Sequence, residues 1–319
     1  MSGLHGPPAS SPADRALPAG TPAVHAATLV SLWSELRQRL QAAGVESPVA
    51  DARLLVEAGA GVARLDIITD PRRPVSEVQI VAIDALARRR EAREPMAYIL
   101  GRKAFWALDL AVSPAVLIPR PETELLVETA LKLLPPDTPV RVLDLGVGAG
   151  AVLLALLRER PLANGIGVDA SQPALEVARA NAEALGLGRR AQLRQGDWAL
   201  GVDGGFDLVV ANPPYIASAE IDLLEPEIAR FEPRLALDGG SDGLGAYRAI
   251  IADLPRLLKP GGAFAFEVGR NQAEAVRALA SQAGLSTAEP KLDLAGIARV
   301  VWGFSRGDEK PLGAKPVRR

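Results

Sequence analysis

From Glu122 to Phe304 the chain alternates between stretches with helical periodicity and short apolar runs of strand length. The pattern predicts helices over 123–134, 151–159, 173–185, 244–258 and 271–283. It predicts strands over 140–145, 165–169, 191–195, 206–211 and 263–268, then two final extended runs ending at Phe304. Alternation of this kind leaves one economical layout, an α/β fold with a mostly parallel seven-stranded sheet covered by helices on both faces. In such open sheets, ligands bind beyond the carboxyl ends of the strands.

The first informative strand end is Val142-Leu143-Asp144-Leu145 followed by Gly146-Val147-Gly148-Ala149-Gly150 and a helix start. Glycines allow a sharp turn and let a ligand approach the main chain, and the helix N-terminus offers free N–H groups. By itself the loop is equally a tight turn. Its Gly-x-Gly-x-Gly spacing brings the third glycine one residue earlier than the pyrophosphate-binding form requires. It suits a nucleoside lacking phosphates better than a dinucleotide. Asp169 ends the next strand, nineteen residues after Gly150. An acidic residue there accepts hydrogen bonds from ribose hydroxyls, although lone aspartates at strand ends also serve as helix caps. Asp197-Trp198 ends the third strand. The Asp can accept from an exocyclic amine and the Trp can cover a purine ring, or the Trp is simply buried at a loop.

The second informative strand end is Phe206-Asp207-Leu208-Val209-Val210-Ala211, followed by Asn212-Pro213-Pro214-Tyr215. Asn offers an amide oxygen, the prolines fix the backbone, and Tyr offers a flat ring. The set can hold a planar NH2 group, which points to an enzyme acting on an amide or amino nitrogen. The alternative is a rigid strand-to-loop turn.

Upstream, 28–93 reads as a small bundle of four or five helices, with Leu29, Leu32, Trp33, Leu36 and Leu40 on one apolar stripe and Gly44 as a stop. Its Trp and Leu positions are expected in the core. Between 95 and 119, Tyr98, Ile99, Leu100, Phe105, Trp106, Leu108, Leu110, Val112 and Val116 suggest extended structure broken by Gly101 and Pro114, a hairpin linker. The expected organisation is a disordered tail over 1–25, a helical substrate-recognition domain over 26–94, a linker over 95–119, a catalytic domain over 120–305 and a basic tail over 306–319.

Composition narrows the chemistry. There is no cysteine, so disulfides, thiolate metal sites and Cys nucleophiles are excluded, and the histidines are only His5 and His25, in the Pro/Ala/Gly/Ser-rich N-terminus. A His triad or zinc site is not expected, and no metal is. The net charge of -2 gives no global basic field for nonspecific nucleic-acid binding. No apolar run is long enough to span a membrane and no signal peptide is visible, so the expected compartment is the cytoplasm. Nothing signals oligomerisation, and a monomer is expected.

Together these residues resemble the class I S-adenosylmethionine-dependent methyltransferases with a Rossmann-like sheet, and most closely the release factor glutamine methyltransferase family. The resemblance runs from about Leu29 to Phe304. It is densest in 93–101, Leu117-Ile118-Pro119-Arg120-Pro121-Glu122-Thr123-Glu124, 144–150, 212–215 and Glu232-Pro233-Arg234-Leu235-Ala236-Leu237. Asn-Pro-Pro-Tyr is shared with adenine and cytosine amino-methyltransferases, whereas the segment from Ile118 to Glu124 is far more specific. The resemblance implies that Gly146, Val147, Gly148, Ala149 and Gly150 line the methionine and ribose of S-adenosyl-L-methionine. It also implies that Asp169 binds the ribose, that Trp198 lies near the adenine, and that Asn212 touches both cofactor and substrate. Asn212, Pro213, Pro214 and Tyr215 would hold the glutamine amide of a peptide chain release factor, with Asn212, Pro213 and Tyr215 catalytic. Two departures stand out. Val147 replaces a usual Thr, and Ala298 replaces an acidic residue before the last strand, read as a lost surface or turn contact.

Rival readings are an adenine-N6 methyltransferase acting on DNA or RNA, a nicotinamide-dependent oxidoreductase and a catalytically silent binding protein. The first needs base flipping and a basic groove, which the near-neutral charge disfavours. The second is disfavoured by the glycine spacing and the missing proton-donating His, the third by the intact Asn-Pro-Pro-Tyr.

Overall fold

The computed structural model describes Gly3 and residues 27–306. Most of the N-terminal tail, with His5 and His25, and the basic tail after Arg306 lie outside the described residues.

The chain opens with α1 (Leu29–Ala42), α2 (Pro48–Ala60), α3 (Arg64–Thr69), α4 (Glu77–Glu91) and α5 (Met96–Leu100). Thr28 and Ser31 form a reciprocal capping box that starts α1, and Ser76 with Gln79 does the same for α4. Leu29, Leu32, Leu36 and Leu40 recur every three or four residues and bury one face of α1 against Leu55, Val56 and Ile83. Trp33 departs from the expected core placement. It is half-buried, and its indole N–H donates to the Val49 carbonyl at 3.0 Å.

A hairpin follows, β1 (Arg102–Phe105) and β2 (Leu108–Ala111). The expected extended segment is corrected at its start, because Tyr98, Ile99 and Leu100 belong to helix α5. Their apolar run carries no period-2 alternation, and Gly101 at φ +70° ends the helix in the left-handed conformation. The hairpin is more than a linker, since Phe105, Leu108 and Leu110 pack into the same core as Leu126 and Val127.

The remainder is α6 (Glu124–Leu133), β3 (Arg141–Leu145), α7 (Ala151–Glu159), β4 (Asn164–Asp169), α8 (Gln172–Ala184), β5 (Ala191–Gln195), β6 (Phe206–Ala211), α9 (Pro226–Phe231), α10 (Gly245–Leu257), β7 (Leu258–Glu267), α11 (Ala273–Gln282), β8 (Ser286–Thr287), β9 (Lys291–Leu292) and β10 (Ala298–Phe304). The sheet runs β5-β4-β3-β6-β7-β10-β8, with β9 joined to β10. β3 to β7 pair in parallel, and β10 runs antiparallel to β7. The sheet thus has eight strands where the sequence suggested seven. The first of the two final extended runs is divided into β8 and β9 by a stretch containing Pro290, which cannot donate to a ladder.

β6 sits at the centre and is buried throughout. Leu208 and Val210 face the core under α6 and α7, while Val209 and Ala211 face the core under α10 and α11. This is the alternation a strand imposes when both sheet faces are covered. The order in which strands are added reverses between β3 and β6, which opens a crevice at their carboxyl ends.

Candidate active site

Two cavities meet in that crevice. The larger, of about 420 Å3, is bounded by the loops after β3, β4, β5 and β6. The smaller, of about 100 Å3, lies between Leu117, Arg120, Pro213, Tyr215 and Ile228. Asn212, Leu117 and Ala236 line both.

The glycine loop forms the floor of the larger cavity through Gly146, Val147, Gly148 and Ala149. Gly150 lies outside that lining. Its φ of +85° turns the chain into α7, and a Cβ there would stand 2.8 Å from Leu154 Cδ1. Val147 is buried and its Cγ2 occupies the space above Gly167, so its lost hydroxyl is a matter of packing as much as of ligand contact. Ala298 is the first residue of β10, half-buried beside the Arg299–Asp293 ion pair.

Asp169 plays a part the sequence did not reveal. Its Oδ2 accepts from the Gly148 N–H at 2.8 Å and its Oδ1 from the Ser171 N–H at 2.9 Å. The carboxylate therefore shapes the loop, and each oxygen keeps a further acceptor site for a ligand hydroxyl. Trp198, half-buried with φ at +48°, stands at the cavity wall with its ring over Gly146. Asp197 is exposed at the same rim.

After β6, Asn212 is half-buried, and its Nδ2 donates to Thr123 Oγ1 at 3.2 Å. Pro214 faces the larger cavity, and Pro213 and Tyr215 face the smaller. The backbone of this turn is fixed from behind. Ile216 exchanges hydrogen bonds with Leu237 and Gly239, and Gln272 Nε2 donates to the Tyr215 carbonyl at 2.9 Å. The sequence segments 117–124 and 232–237 prove to be one unit. Glu232, 6% exposed, pairs with Arg120 and accepts from the Ile118 N–H at 3.3 Å.

Several contributors escaped sequence reasoning. Thr123 sits at the start of α6 and is read there as helix, with nothing local to reveal that it meets Asn212. Asn181 on α8 bonds both backbone groups of Ala111 and the Ala149 carbonyl, which couples the hairpin to the glycine loop. Glu267 left a signal, because it ends the buried run Ala263 to Phe266 at the carboxyl edge of a central strand. Asp144 left one too, as a carboxylate set between Leu143 and Leu145 just before the glycine loop.

Two families match the chain. The PrmC N-terminal domain covers residues 31–101 and the methyltransferase small domain covers residues 121–240. A release factor glutamine methyltransferase from Caulobacter vibrioides is 50% identical over 285 residues, which is 89% of this chain and 99% of that relative. The chain belongs to the release factor glutamine methyltransferase family. Another member, from Rhodospirillum rubrum, is 50% identical over 258 residues, 81% of this chain and 79% of its own length. One from Bordetella pertussis is 45% identical over 259 residues, 81% and 95% respectively.

Family membership makes this an S-adenosylmethionine-dependent methyltransferase, and the site fits that cofactor. The larger cavity has the size of a small-ligand site. It joins an aromatic wall at Trp198 to unspent acceptors on Asp169 and to the Asp144 carboxyl, 2% exposed. Burial pushes Asp144 up to about 7, the Asp169 charge adds to this, and the Leu153 N–H opposes it. Burial likewise pushes Glu267 up to about 7.

These two carboxyls predict an unusual stability profile. Their folded values exceed their unfolded ones, so the folded chain holds more protons than the unfolded chain between roughly pH 4 and pH 7. Stability falls as pH rises through that window. The melting temperature of the cofactor-free protein is expected to be higher near pH ~5.5 than near pH ~7.5, and Asp144→Asn is expected to narrow the gap. A wild-type melting temperature that climbs over the same interval would contradict this.

Proposed function

We propose that this chain transfers the methyl group of S-adenosylmethionine to the side-chain amide nitrogen, N5, of the glutamine in the Gly-Gly-Gln loop of bacterial peptide chain release factors. The observation that supports this most directly is the placement of Asn212 at the junction of two cavities, with its Nδ2 committed to Thr123. That leaves Oδ1 as an acceptor for an incoming NH2 group. The smaller cavity, about 100 Å3, is far below the size of sites that enclose whole small molecules. It suits the end of a side chain better than a flipped base, which favours glutamine over adenine.

An amide nitrogen is a poor nucleophile because its lone pair is delocalised into the carbonyl. The bound cofactor supplies a methyl group on a positively charged sulfur, already strongly electrophilic. The chain's task is then orientation. Asn212 Oδ1 and the Pro213 carbonyl, which takes no backbone hydrogen bond among the described residues, accept the two amide N–H bonds. Acceptors fixed in this way hold the nitrogen in line and favour the positive charge that develops on it. Burial raises Tyr215 to about 12, so it stays neutral and contributes its ring beside the amide. Gly146 to Ala149, Asp169 and Trp198 hold the cofactor.

One side chain offers little area for selecting a protein substrate. We assign that selection to the helical domain, 26–94, where α3 and α4 expose Leu65, Ile68, Val78 and Val81. The domain over 120–305 carries out the transfer. The enzyme would work as a cytoplasmic monomer without contacting nucleic acid. Among the described residues no helix is long and apolar enough to cross a membrane.

The test is to incubate the protein with methyl-labelled S-adenosylmethionine and, separately, release factor, release factor with its Gly-Gly-Gln glutamine replaced by Ala, DNA and RNA. Label is expected in the unaltered release factor alone. Label in either nucleic acid, or equal label in the altered release factor, refutes the assignment.

A further inference from the structure

With Asn212 Oδ1 and the Pro213 carbonyl accepting the two N–H bonds of the substrate amide, as proposed above, one part of the glutamine side chain still lacks a partner. Its carbonyl oxygen is an acceptor, and an acceptor buried without a donor is costly. A pocket that holds a carboxamide therefore needs a donor as well as acceptors. Of the residues that line the smaller cavity, Asn212, Tyr215 and Arg120 carry side-chain donors. Asn212 Nδ2 is committed to Thr123 at 3.2 Å. The Tyr215 hydroxyl is directed at Glu267 Oε1, 3.5 Å away. Arg120 remains.

Arg120 is held as a fixed donor. It stands between Pro119 and Pro121. A following proline restricts the residue before it to extended backbone, and Arg120 is found at φ -95° and ψ 147°. Its Nη2 donates to Oε1 of Glu232, a side chain almost wholly buried, whose Oε2 accepts from the Ile118 N–H at 3.3 Å. Glu232 does not line the cavity, so the pair anchors the guanidinium without filling the pocket. A guanidinium carries five N–H donors in a rigid fork, and among the described residues only Nη2 of Arg120 has a partner. The Arg120 charge is felt at the Tyr215 hydroxyl of the same cavity, where it opposes the upward push of burial.

We propose that Arg120 donates to the side-chain carbonyl oxygen of the substrate glutamine and so makes the pocket selective for a neutral carboxamide. The contact fixes the oxygen end of the amide. Together with the two acceptors it sets the plane in which the nitrogen meets the methyl group. Arg120 also selects by charge. A lysine ammonium entering the same space of about 100 Å3 meets a like charge and offers no carbonyl in return. A side chain of similar length without a carbonyl, such as methionine, gains nothing from the guanidinium. A hydrogen bond to the carbonyl oxygen draws electron density away from the amide nitrogen, so the contribution of Arg120 lies in binding and orientation.

The inference rests on the proposed transfer to glutamine, and the experiment keeps the two apart. Release factor carrying Gly-Gly-Gln and release factor carrying Gly-Gly-Met are titrated into wild type and into Arg120→Met. The demethylated cofactor, S-adenosylhomocysteine, fills the cofactor site so that no transfer occurs. Arg120→Met is expected to weaken binding of the Gly-Gly-Gln factor by about tenfold or more, the effect of losing a charged hydrogen-bond donor, and of the Gly-Gly-Met factor by less than about twofold. Equal weakening of both factors means that the Arg120–Glu232 pair only holds the cavity wall in shape. Unchanged binding of the Gly-Gly-Gln factor means that the carbonyl finds its donor elsewhere. Either result overturns the proposal. If Arg120→Met melts below the assay temperature, the double variant Arg120→Met with Glu232→Gln, which removes the ion pair as a unit, is put through the same comparison. The labelling experiment above reads the underlying function separately. A release factor that takes no label removes the glutamine assignment and this inference with it, whereas a labelled factor with equal weakening removes only the role of Arg120.

Discussion

Replacing Asn212 by Ala is expected to abolish most transfer while leaving the fold and cofactor binding in place. Asn212 is half-buried, and among the described residues its only side-chain bond is the one from Nδ2 to Thr123. Truncation removes no core packing, since Asn212 belongs to none of the buried apolar clusters. The turn keeps its shape because Ile216, Gly239 and Gln272 fix its backbone. What is lost is the oriented oxygen between the two cavities. Losing one fixed hydrogen-bonding group aimed at developing charge costs roughly 10²–10³ in kcat in well-studied enzymes. A similar or larger loss is expected here, because the Pro213 carbonyl alone cannot fix the plane of the amide. Asn212→Asp keeps an acceptor but adds a negative charge between the cavities, and a severe loss is expected from it too. Single-turnover labelling of release factor, with cofactor affinity measured on the same preparations, decides the matter. Near-normal turnover in Asn212→Ala would remove Asn212 from the mechanism.

Much of the architecture was legible because its signals are local. The strands over 191–195 and 206–211 and the helix over 151–159 match the observed elements residue for residue, the last two because an apolar run bounded by Gly or charge leaves little freedom. Local order misled where tertiary contact decides. The six-residue helices α3 and α9 carry too few turns to show a period, and α9 buries none of its residues. The site divides in the same way. Residues at strand ends, such as Asp169, Trp198 and Asn212, advertise themselves by position. Thr123, Asn181 and Glu232 do not, because what matters about them is a partner 89, 70 and 112 to 114 residues away. Asp169 shows a further limit, because the sequence suggests a ribose ligand or a helix cap and neither reading anticipates that the carboxylate holds the Gly148 N–H.

The second large effect is expected at Glu227, where the helical domain grips the catalytic domain. Glu227 lies on α9, whose Ile228 lines the smaller cavity. Its carboxylate accepts from Arg93 at 2.7 Å through both oxygens and from Arg90 at 2.9 Å, and Arg90 is in turn held by Asp51 at 2.8 Å. The side chains of Arg90, Asp51 and Glu227 are largely shielded from water. Burial pushes Glu227 upward, but Arg93 and Arg90 outweigh it and hold the carboxyl below the usual range. Because the folded value is depressed, the contribution is present at neutral pH and is lost only as pH falls through the acidic range. None of α9's own residues is buried, so this contact is one of its anchors, beside Phe231 packed against the cluster that holds Val116 and Ile118 and the buried Glu232 that follows it. Glu227→Ala strips Arg93 of a two-pronged partner and leaves Arg90 with Asp51 alone. Removing one member of a buried pair typically costs about 3–5 kcal/mol, and part of that is expected as a lower melting temperature. The functional effect should be specific. Residues 226–231 are absent from the lining of the larger cavity, so cofactor Kd is expected to hold. The KM for release factor is expected to rise about tenfold or more as the wall of the smaller cavity loosens and the helical domain, proposed above to select the substrate, loses its register. Glu227→Gln, which keeps one acceptor oxygen, is expected to fall between. An unchanged KM and melting temperature in Glu227→Ala would show that the two domains are set by apolar packing alone.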